Sequence, residues 1–313
     1  MTGRHWIQSR IAESRLTLPT CLCICTLVWW YVGPNTDVAT ILSWLLCMGT
    51  VAVLMETNIG LQILRVRTRL TESLWLLLIA ATPGIHFQWE PLTCALCLAS
   101  SQGLLLCCYQ KKNSPSLVFH SFLFLGIGSI FAPAMWIVAI LFYVCLATLM
   151  RAFSWKGLWA GLIGLFAPYW CWLLWEMCLG DIYHMIEYLA WKWTEAIPEG
   201  INLPSADKQY LPIWGLLLFL NIIGIVHYMS KRYEDKIRIR MFLYVFVFLS
   251  CLLQTAFVLF PYQRQDLLPM LSVSVVPLVA YYWALTWGKT ARFLLILSFT
   301  LWIAVLAFCL NHS

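Results

Sequence analysis

Polar side chains that could do chemistry occur at three short turns between strongly apolar runs. Asp37 lies in GPNTD, His86 and Glu90 lie in PGIHFQWEP, and Arg264 and Asp266 lie in PYQRQDLLP. A carboxylate in such a turn can act as a general base or bind a divalent metal. We therefore take Asp37 and Glu90 as candidate catalytic residues. Arg264, Asp266 and His86 are candidate substrate-binding residues, and the alternative for each of the five is a solvated turn residue.

The elements that must position these residues are membrane spans. The chain has 313 residues, of which 62% are hydrophobic and only 11% are charged, whereas a soluble domain carries about 25% charged residues. A soluble core cannot absorb this much apolar surface, but spans of about 20 apolar residues each can. The sequence predicts a single all-α polytopic bundle over residues 1–313. Its eleven predicted spans are 17–33, 38–55, 73–87, 91–109, 117–131, 133–150, 157–175, 212–230, 240–260, 267–286 and 291–310.

The distribution of lysine and arginine predicts the orientation of these spans. With the N-terminus in the cytoplasm, every inside segment is basic, and only Lys192, Lys208 and Arg264 lie outside, as the positive-inside rule requires. The C-terminus is then periplasmic, and the expected location is the inner (plasma) membrane. Both flanks of the run 116–150 are basic, so both are predicted to lie in the cytoplasm. The run must then cross the membrane twice, and we divide it at FAPA. A re-entrant hairpin would fit this run equally well.

Two cytoplasmic loops, RVRTR and KIRIR, carry alternating cations. We expect them to fix the topology and to contact anionic lipid headgroups, each cation contributing about 1 kcal/mol near the surface. A cytoplasmic phosphate site is the alternative, although neither loop has the glycines of a phosphate cradle. Membrane lipids, and not nucleic acid, are the expected partners. The cations are Arg65, Arg67, Arg69, Lys236, Arg238 and Arg240.

The one sizeable segment outside the membrane is 176–211, at the outer face. Within it, residues 181–196 have the periodicity of an amphipathic helix that lies in the membrane interface. His184 falls on the opposite, polar face and is a further candidate substrate-binding residue. The helix is either an anchored lid or the wall of a periplasmic site. Its apolar face consists of Ile182, Met185, Ile186, Leu189 and Trp193.

No aspartate, glutamate, lysine or arginine falls near the middle of any predicted span. Ion-coupled transporters usually need buried ionisable groups there, so the sequence does not favour that class. Most of the cysteines lie inside apolar runs, where they act as small hydrophobic residues. We predict neither a metal site nor a cofactor.

The layout resembles a family of uncharacterised multi-pass inner-membrane proteins of Bacteroidetes. The resemblance rests on the segment ending in ETNIGLQILRVRTRLTES, on residues 116–170 and on DLLPMLSVSVVPLVAYYWAL at 266–285. These stretches cover much of the chain and are patterns of small and aromatic residues. The resemblance implies a Gram-negative inner membrane and no particular activity.

More distantly, the chain is similar to the C-type glycosyltransferases, which take sugars from polyprenyl-phosphate donors at the outer face. That resemblance implies a catalytic acid in the loop after the first span, where Asp37 lies, and allows a divalent metal. The loop is much shorter here than in those enzymes. Two functions therefore stay open. One is a non-catalytic envelope scaffold or subunit with a protein partner, and the other is a reduced glycosyltransferase-like protein acting on a polyprenyl-phosphate-linked sugar.

Overall fold

A computed structural model of the chain consists of α-helices joined by turns. It describes residues 14, 16–32, 37–64, 68–180, 182–194, 209–286 and 288–312. The described residues contain no strand, and the predicted all-α class is confirmed. Their helices are α1 (Thr17–Val32), α2 (Val38–Leu61), α3 (Leu70–Ala80), α4 (Glu90–Cys107), α5 (Pro115–Phe131), α6 (Met135–Thr148), α7 (Trp155–Leu179), α8 (Ile182–Thr194), α9 (Leu211–Lys231), α10 (Ile237–Leu259), α11 (Arg264–Leu285) and α12 (Lys289–His312).

Seven of the described helices, α2, α4, α7 and α9 to α12, are long enough and apolar enough to cross a membrane. The other apolar helices, α1, α3, α5 and α6, are shorter, at 10–17 residues. Eleven full crossings therefore remain a prediction. The predicted span 73–87 is helical only as far as Ala80, because the next residues cannot continue the helix. Pro83 has no amide hydrogen, and Gly84 adopts a positive φ of 72°.

Helix α11 forms the centre of the bundle and is shielded from the surroundings along almost its whole length. It packs against α3, α4, α9 and α10, and every residue from Leu267 to Ala284 is buried. Pro269 and Pro277 lie inside it. A helix with two internal prolines leaves backbone carbonyls without their usual donors, which is tolerated at membrane depth only where protein surrounds them.

Helices α5 and α7 form a parallel pair whose backbones touch at glycines. A Cβ atom on Gly164 would overlap the carbonyl oxygen of Phe119, and one on Gly126 would overlap that of Leu165. Small residues permit this approach, as in other membrane helix pairs. Because the two helices run in the same direction, α6 must carry the chain back between them. The turn at 132–134 lies where the FAPA break was predicted.

The turns that the charge pattern assigns to the outer face contact one another at one end of the bundle. The Ser43 hydroxyl donates to the His86 carbonyl at 2.8 Å, and the Ala134 amide donates to Gln263 Oε1 at 3.3 Å. We call this end, which includes the start of α4 at Glu90, the Glu90 end.

The turns assigned to the cytoplasm meet at the other end. The Gln110 amide donates to the Met150 carbonyl at 2.9 Å, and the rings of Tyr109 and Phe242 meet edge to face at 5.7 Å. We call this the Arg240 end. These described turns are thus grouped as the positive-inside rule groups them. Which end faces the cytoplasm remains a prediction from the charges.

Cysteine labelling tests that orientation. Glu187 and Lys236 are both exposed and lie near opposite ends. In a background with the exposed Cys178 changed to serine, we expect Glu187→Cys to react with an impermeant maleimide in intact spheroplasts. Lys236→Cys should react only after the membrane is opened. The reverse pattern would invert the topology.

Candidate functional site

An ion pair between helices α8 and α4 anchors the polar cluster at the Glu90 end. Lys192 Nζ lies 3.5 Å from Glu90 Oε2, and the lysine side chain is only 9% exposed while that of the glutamate is 38% exposed. The lysine also lies 5.0 Å from the centre of the Trp191 ring. Glu90 is followed by Pro91, which suits the first turn of a helix. The pair fastens the amphipathic helix to the bundle and leaves one carboxylate partly accessible.

The start of α11 contributes the second part of the cluster. Arg264 is 4% exposed, and its Nε donates to the Phe257 carbonyl at 3.3 Å. Gln263 is also buried and accepts the Ala134 amide hydrogen. Asp266 is half-buried in the first turn of α11, where a negative charge is favourable to the helix dipole. The arginine and the glutamine thus hold neighbouring backbone segments in place.

A third contact ties the approach to α9 into the same end. Tyr210 precedes α9, and its hydroxyl donates to Gln265 Oε1 at 3.2 Å. The amide nitrogen of Gln265 lies 3.3 Å from where a Cβ on Gly84 would be. The turn 81–89 is therefore packed directly against the start of α11.

His86 lies in that turn and is 3% exposed. Its ring meets the Trp29 ring edge to face at 4.4 Å, and among the described residues neither ring nitrogen has a hydrogen-bond partner. Burial lowers the pKa of His86 to about 4, so the ring is neutral at pH 7. An uncharged, enclosed imidazole contributes packing at this position and does not present a charge to a substrate.

Charged groups of the Glu90 end lie near the beginning of α4. The Cys94 thiol is within electrostatic range of Asp266, Lys192 and Glu90. Glu90, Arg264 and Asp266, three of the residues selected from the sequence, therefore lie at the same end of the bundle. The structure adds Lys192, which the sequence analysis treated only as an outside cation. The sequence signal for its inward position was that Lys192 follows Leu189 by three residues on an amphipathic helix.

Asp37 and His184 lie apart from this cluster. Asp37 is exposed just before α2 and makes no side-chain capping bond. His184 Nδ1 lies 3.4 Å from Glu176 Oε1, which also accepts the Trp172 indole hydrogen at 2.9 Å. Glu176 is 7% exposed, and its contacts attach the start of α8 to α7.

Helix α8 turns only part of its predicted apolar face toward the protein. Met185 is 8% exposed, whereas Ile186 is 56% and Trp193 is 46% exposed. Leu189 is half-buried, and the side chain of Ile182 lies outside the described residues. Because Lys192 is drawn inward by Glu90, the inner face follows the 185, 189 and 192 positions. Ile186 is left on the outer surface, whereas the Trp193 ring, although exposed, lies 6.2 Å from the Trp136 ring of α6.

The cations of the predicted cytoplasmic loops are mostly exposed at the Arg240 end. Arg69, Lys236 and Arg238 are exposed and Arg240 is half-buried, while Arg65 and Arg67 lie outside the described residues. A buried carboxylate that was not predicted, that of Asp235, lies beside them and accepts a hydrogen bond from the Tyr281 hydroxyl. The only sequence signal was an acidic pair, Glu234 and Asp235, in an otherwise basic loop.

Over the described residues, the fold and this site define an all-α protein with seven helices suited to crossing a membrane. Among the described residues, no group of three or more His, Cys, Asp or Glu is placed to hold a metal ion. Comparison with family models, with curated proteins and with solved structures gives no match.

Proposed function

We propose that this protein is a non-catalytic scaffold or subunit of the cell envelope, embedded in the inner membrane, and that α8 is its contact surface for a membrane-protein partner. The observation that carries the proposal is how the polar residues of the Glu90 end are used. The Lys192–Glu90 pair holds α8 to α4, Gln263 holds the 132–134 turn, and Gln265 holds Tyr210. These bonds join elements of the fold and do not converge on a common reactive atom.

The outer surface of α8 supports the same proposal. Tyr183 is 80%, Ile186 56% and Trp191 54% exposed, on a helix that is attached at both ends, by His184 to Glu176 and by Lys192 to Glu90. Aromatic residues are enriched where protein partners bind. A helix held rigidly with large side chains outward presents a preformed surface, so little ordering is required on binding.

Native mass spectrometry after crosslinking in the protein's own membrane tests this function. We expect a stoichiometric protein partner that Ile186→Glu removes, because a charge on the exposed face is costly to bury in an interface. The matched control is Glu187→Gln, which changes the charge on an exposed neighbour and should retain the partner. Equal partner recovery with Ile186→Glu at normal abundance would falsify the proposal.

The second candidate is a reduced C-type glycosyltransferase-like protein acting on a polyprenyl-phosphate-linked sugar. The favouring observation is that the partly exposed carboxylates Glu90 and Asp266 lie at the same end as the buried cations Lys192 and Arg264. These are groups that a phosphosugar headgroup would meet. In the same experiment, a co-purified polyprenyl-phosphate species without a protein partner supports this candidate. Asp37→Asn then becomes the decisive variant for catalysis.

A further inference from the structure

The loop between α9 and α10 and the exposed face of α10 form one surface at the Arg240 end. The loop begins with a single turn of 3₁₀-helix at Arg232–Glu234, and α10 starts at Ile237. Residues 231–240 carry five cations and two carboxylates. Because cations are in excess, an anion is the ligand that this surface suits.

Both carboxylates of the loop are directed to partners other than its arginines. Glu234 Oε1 lies 2.6 Å from Lys231 Nζ. Asp235 is 6% exposed and accepts a hydrogen bond from Tyr281 of the central helix α11. The arginines of the loop take part in none of the ion pairs found among the described residues. Within that part of the chain, no carboxylate neutralises their charge.

Arg232 is held in place by two tyrosines. Its Nη1 donates to the Tyr244 hydroxyl at 3.0 Å, and its Nη2 donates to the Tyr233 hydroxyl at 2.7 Å. The guanidinium group also lies over the Tyr233 ring, 4.7 Å from the ring centre. These neutral partners orient the guanidinium group without removing its charge, and each Nη keeps a second hydrogen that it can donate. Such an arginine suits the planar geometry of a phosphate group.

Arg240 provides a second guanidinium group on the same face of α10. It lies one helical turn before Tyr244, so its side chain shares a face with the tyrosine that binds Arg232. The Arg240 carbonyl accepts the Tyr228 hydroxyl hydrogen at 3.0 Å, which fixes the backbone at this turn, and its side chain is half-buried. The end of α9 and the start of α10 therefore carry two arginines that can act on one anion.

Beyond the arginines, the same face of α10 is largely apolar and exposed. Phe248 follows Tyr244 by one turn and is 49% exposed, and Leu259 at the end of the helix is 45% exposed. Cys251 and Thr255 lie between them on this face and are also exposed. Because α10 is long and apolar enough to cross a membrane, this face is suited to contact acyl chains. A soluble phosphate would use only the cations, whereas a lipid would use both parts of the surface.

We propose that Arg232 and Arg240 bind the phosphate group of one anionic phospholipid, whose acyl chain lies along α10 from Phe248 to Leu259. This is a stoichiometric site and not the general attraction of a basic loop for headgroups. It depends on Arg232 and on Tyr244, which orients that arginine. It lies at the opposite end of the bundle from Glu90 and does not depend on the contact surface on α8.

Native mass spectrometry of the purified full-length protein tests this site. The probe is a detergent micelle that contains equal amounts of phosphatidylglycerol and phosphatidylcholine with the same acyl chains. We expect one phosphatidylglycerol molecule to stay bound in preference to phosphatidylcholine. Arg232→Gln should reduce this preference by roughly fivefold, the effect of one cation near an anionic headgroup. Lys156→Gln is the matched control, because it removes an exposed cation from α7, and it should keep the preference.

A second variant distinguishes a positioned site from general surface charge. Tyr244→Phe removes the hydroxyl that orients Arg232 and leaves every charge in place, so it should also lower the retention of phosphatidylglycerol. Equal retention of the two lipids by the wild-type protein would overturn the proposal. Equal losses with Arg232→Gln and Lys156→Gln, or unchanged retention with Tyr244→Phe, would show general attraction and would also overturn it. Displacement of the lipid by inorganic phosphate at equal concentration would identify a site for soluble phosphate and contradict the proposal.

Discussion

Gly164→Ala should destabilise the protein strongly for a change of a single methyl group. The new Cβ would meet the carbonyl oxygen of Phe119 and the amide of Leu123 on α5. These are backbone atoms, so α5 and α7 must move apart along their shared length. Overpacking typically costs about 1–3 kcal/mol, and we expect Tm in detergent to fall by several degrees.

Gly215→Ala is the matched control for this change. Gly215 lies in the apolar helix α9, and a Cβ built there meets nothing within 4 Å. Alanine is the better helix former by roughly 1 kcal/mol, so Tm should stay equal or rise slightly. If both variants shifted Tm equally, the close α5–α7 contact would not contribute to stability.

Glu90→Gln should release α8 from the bundle. The Lys192 side chain is only 9% exposed, and the change removes the carboxylate that pairs with its ammonium group. An unpaired buried charge is costly. Since Glu90 itself is 38% exposed, solvent reduces the loss, and we expect about 1–3 kcal/mol. Hydrogen exchange of the amides in 182–194 should become faster while exchange in α4 stays slow.

A double variant separates the ion pair from a general effect of the glutamine. Lys192→Met removes the stranded charge, so Glu90→Gln with Lys192→Met should exchange more slowly in α8 than Glu90→Gln alone. Glu187→Gln, on the exposed side of the same helix, should leave exchange unchanged. Identical rates in the single and double Glu90 variants would show that the pair does not hold α8.

The all-α class and the grouping of turns at two ends were predictable because they depend on long apolar runs and on loop charges. The FAPA break was predictable for a similar reason, since a run with basic residues on both flanks must turn back. These signals are local or additive along the chain. They do not depend on which helix packs against which.

The burial of the charged side chains of Glu72 and Lys192 was not predictable in this way. Glu72 lies only a few residues after a basic loop. The sequence around it does not indicate that every residue of α3 is buried. The charge pattern places Lys192 only outside the membrane, yet its bond to a single carboxylate on α4 draws it toward the bundle. Such features arise from contacts between residues far apart in sequence, which one sequence without tertiary information does not contain.

The enclosure of α3 has a consequence for biogenesis. All of its residues are buried, in part by α11, whose first residue is Arg264. At a synthesis rate of roughly 5–20 residues per second, α11 emerges about ten to forty seconds after α3. During that interval a short helix carrying Glu72 lacks its final neighbour and must rely on earlier helices or on an insertion chaperone. Chains truncated before Arg264 should therefore be recognised and degraded by membrane quality control.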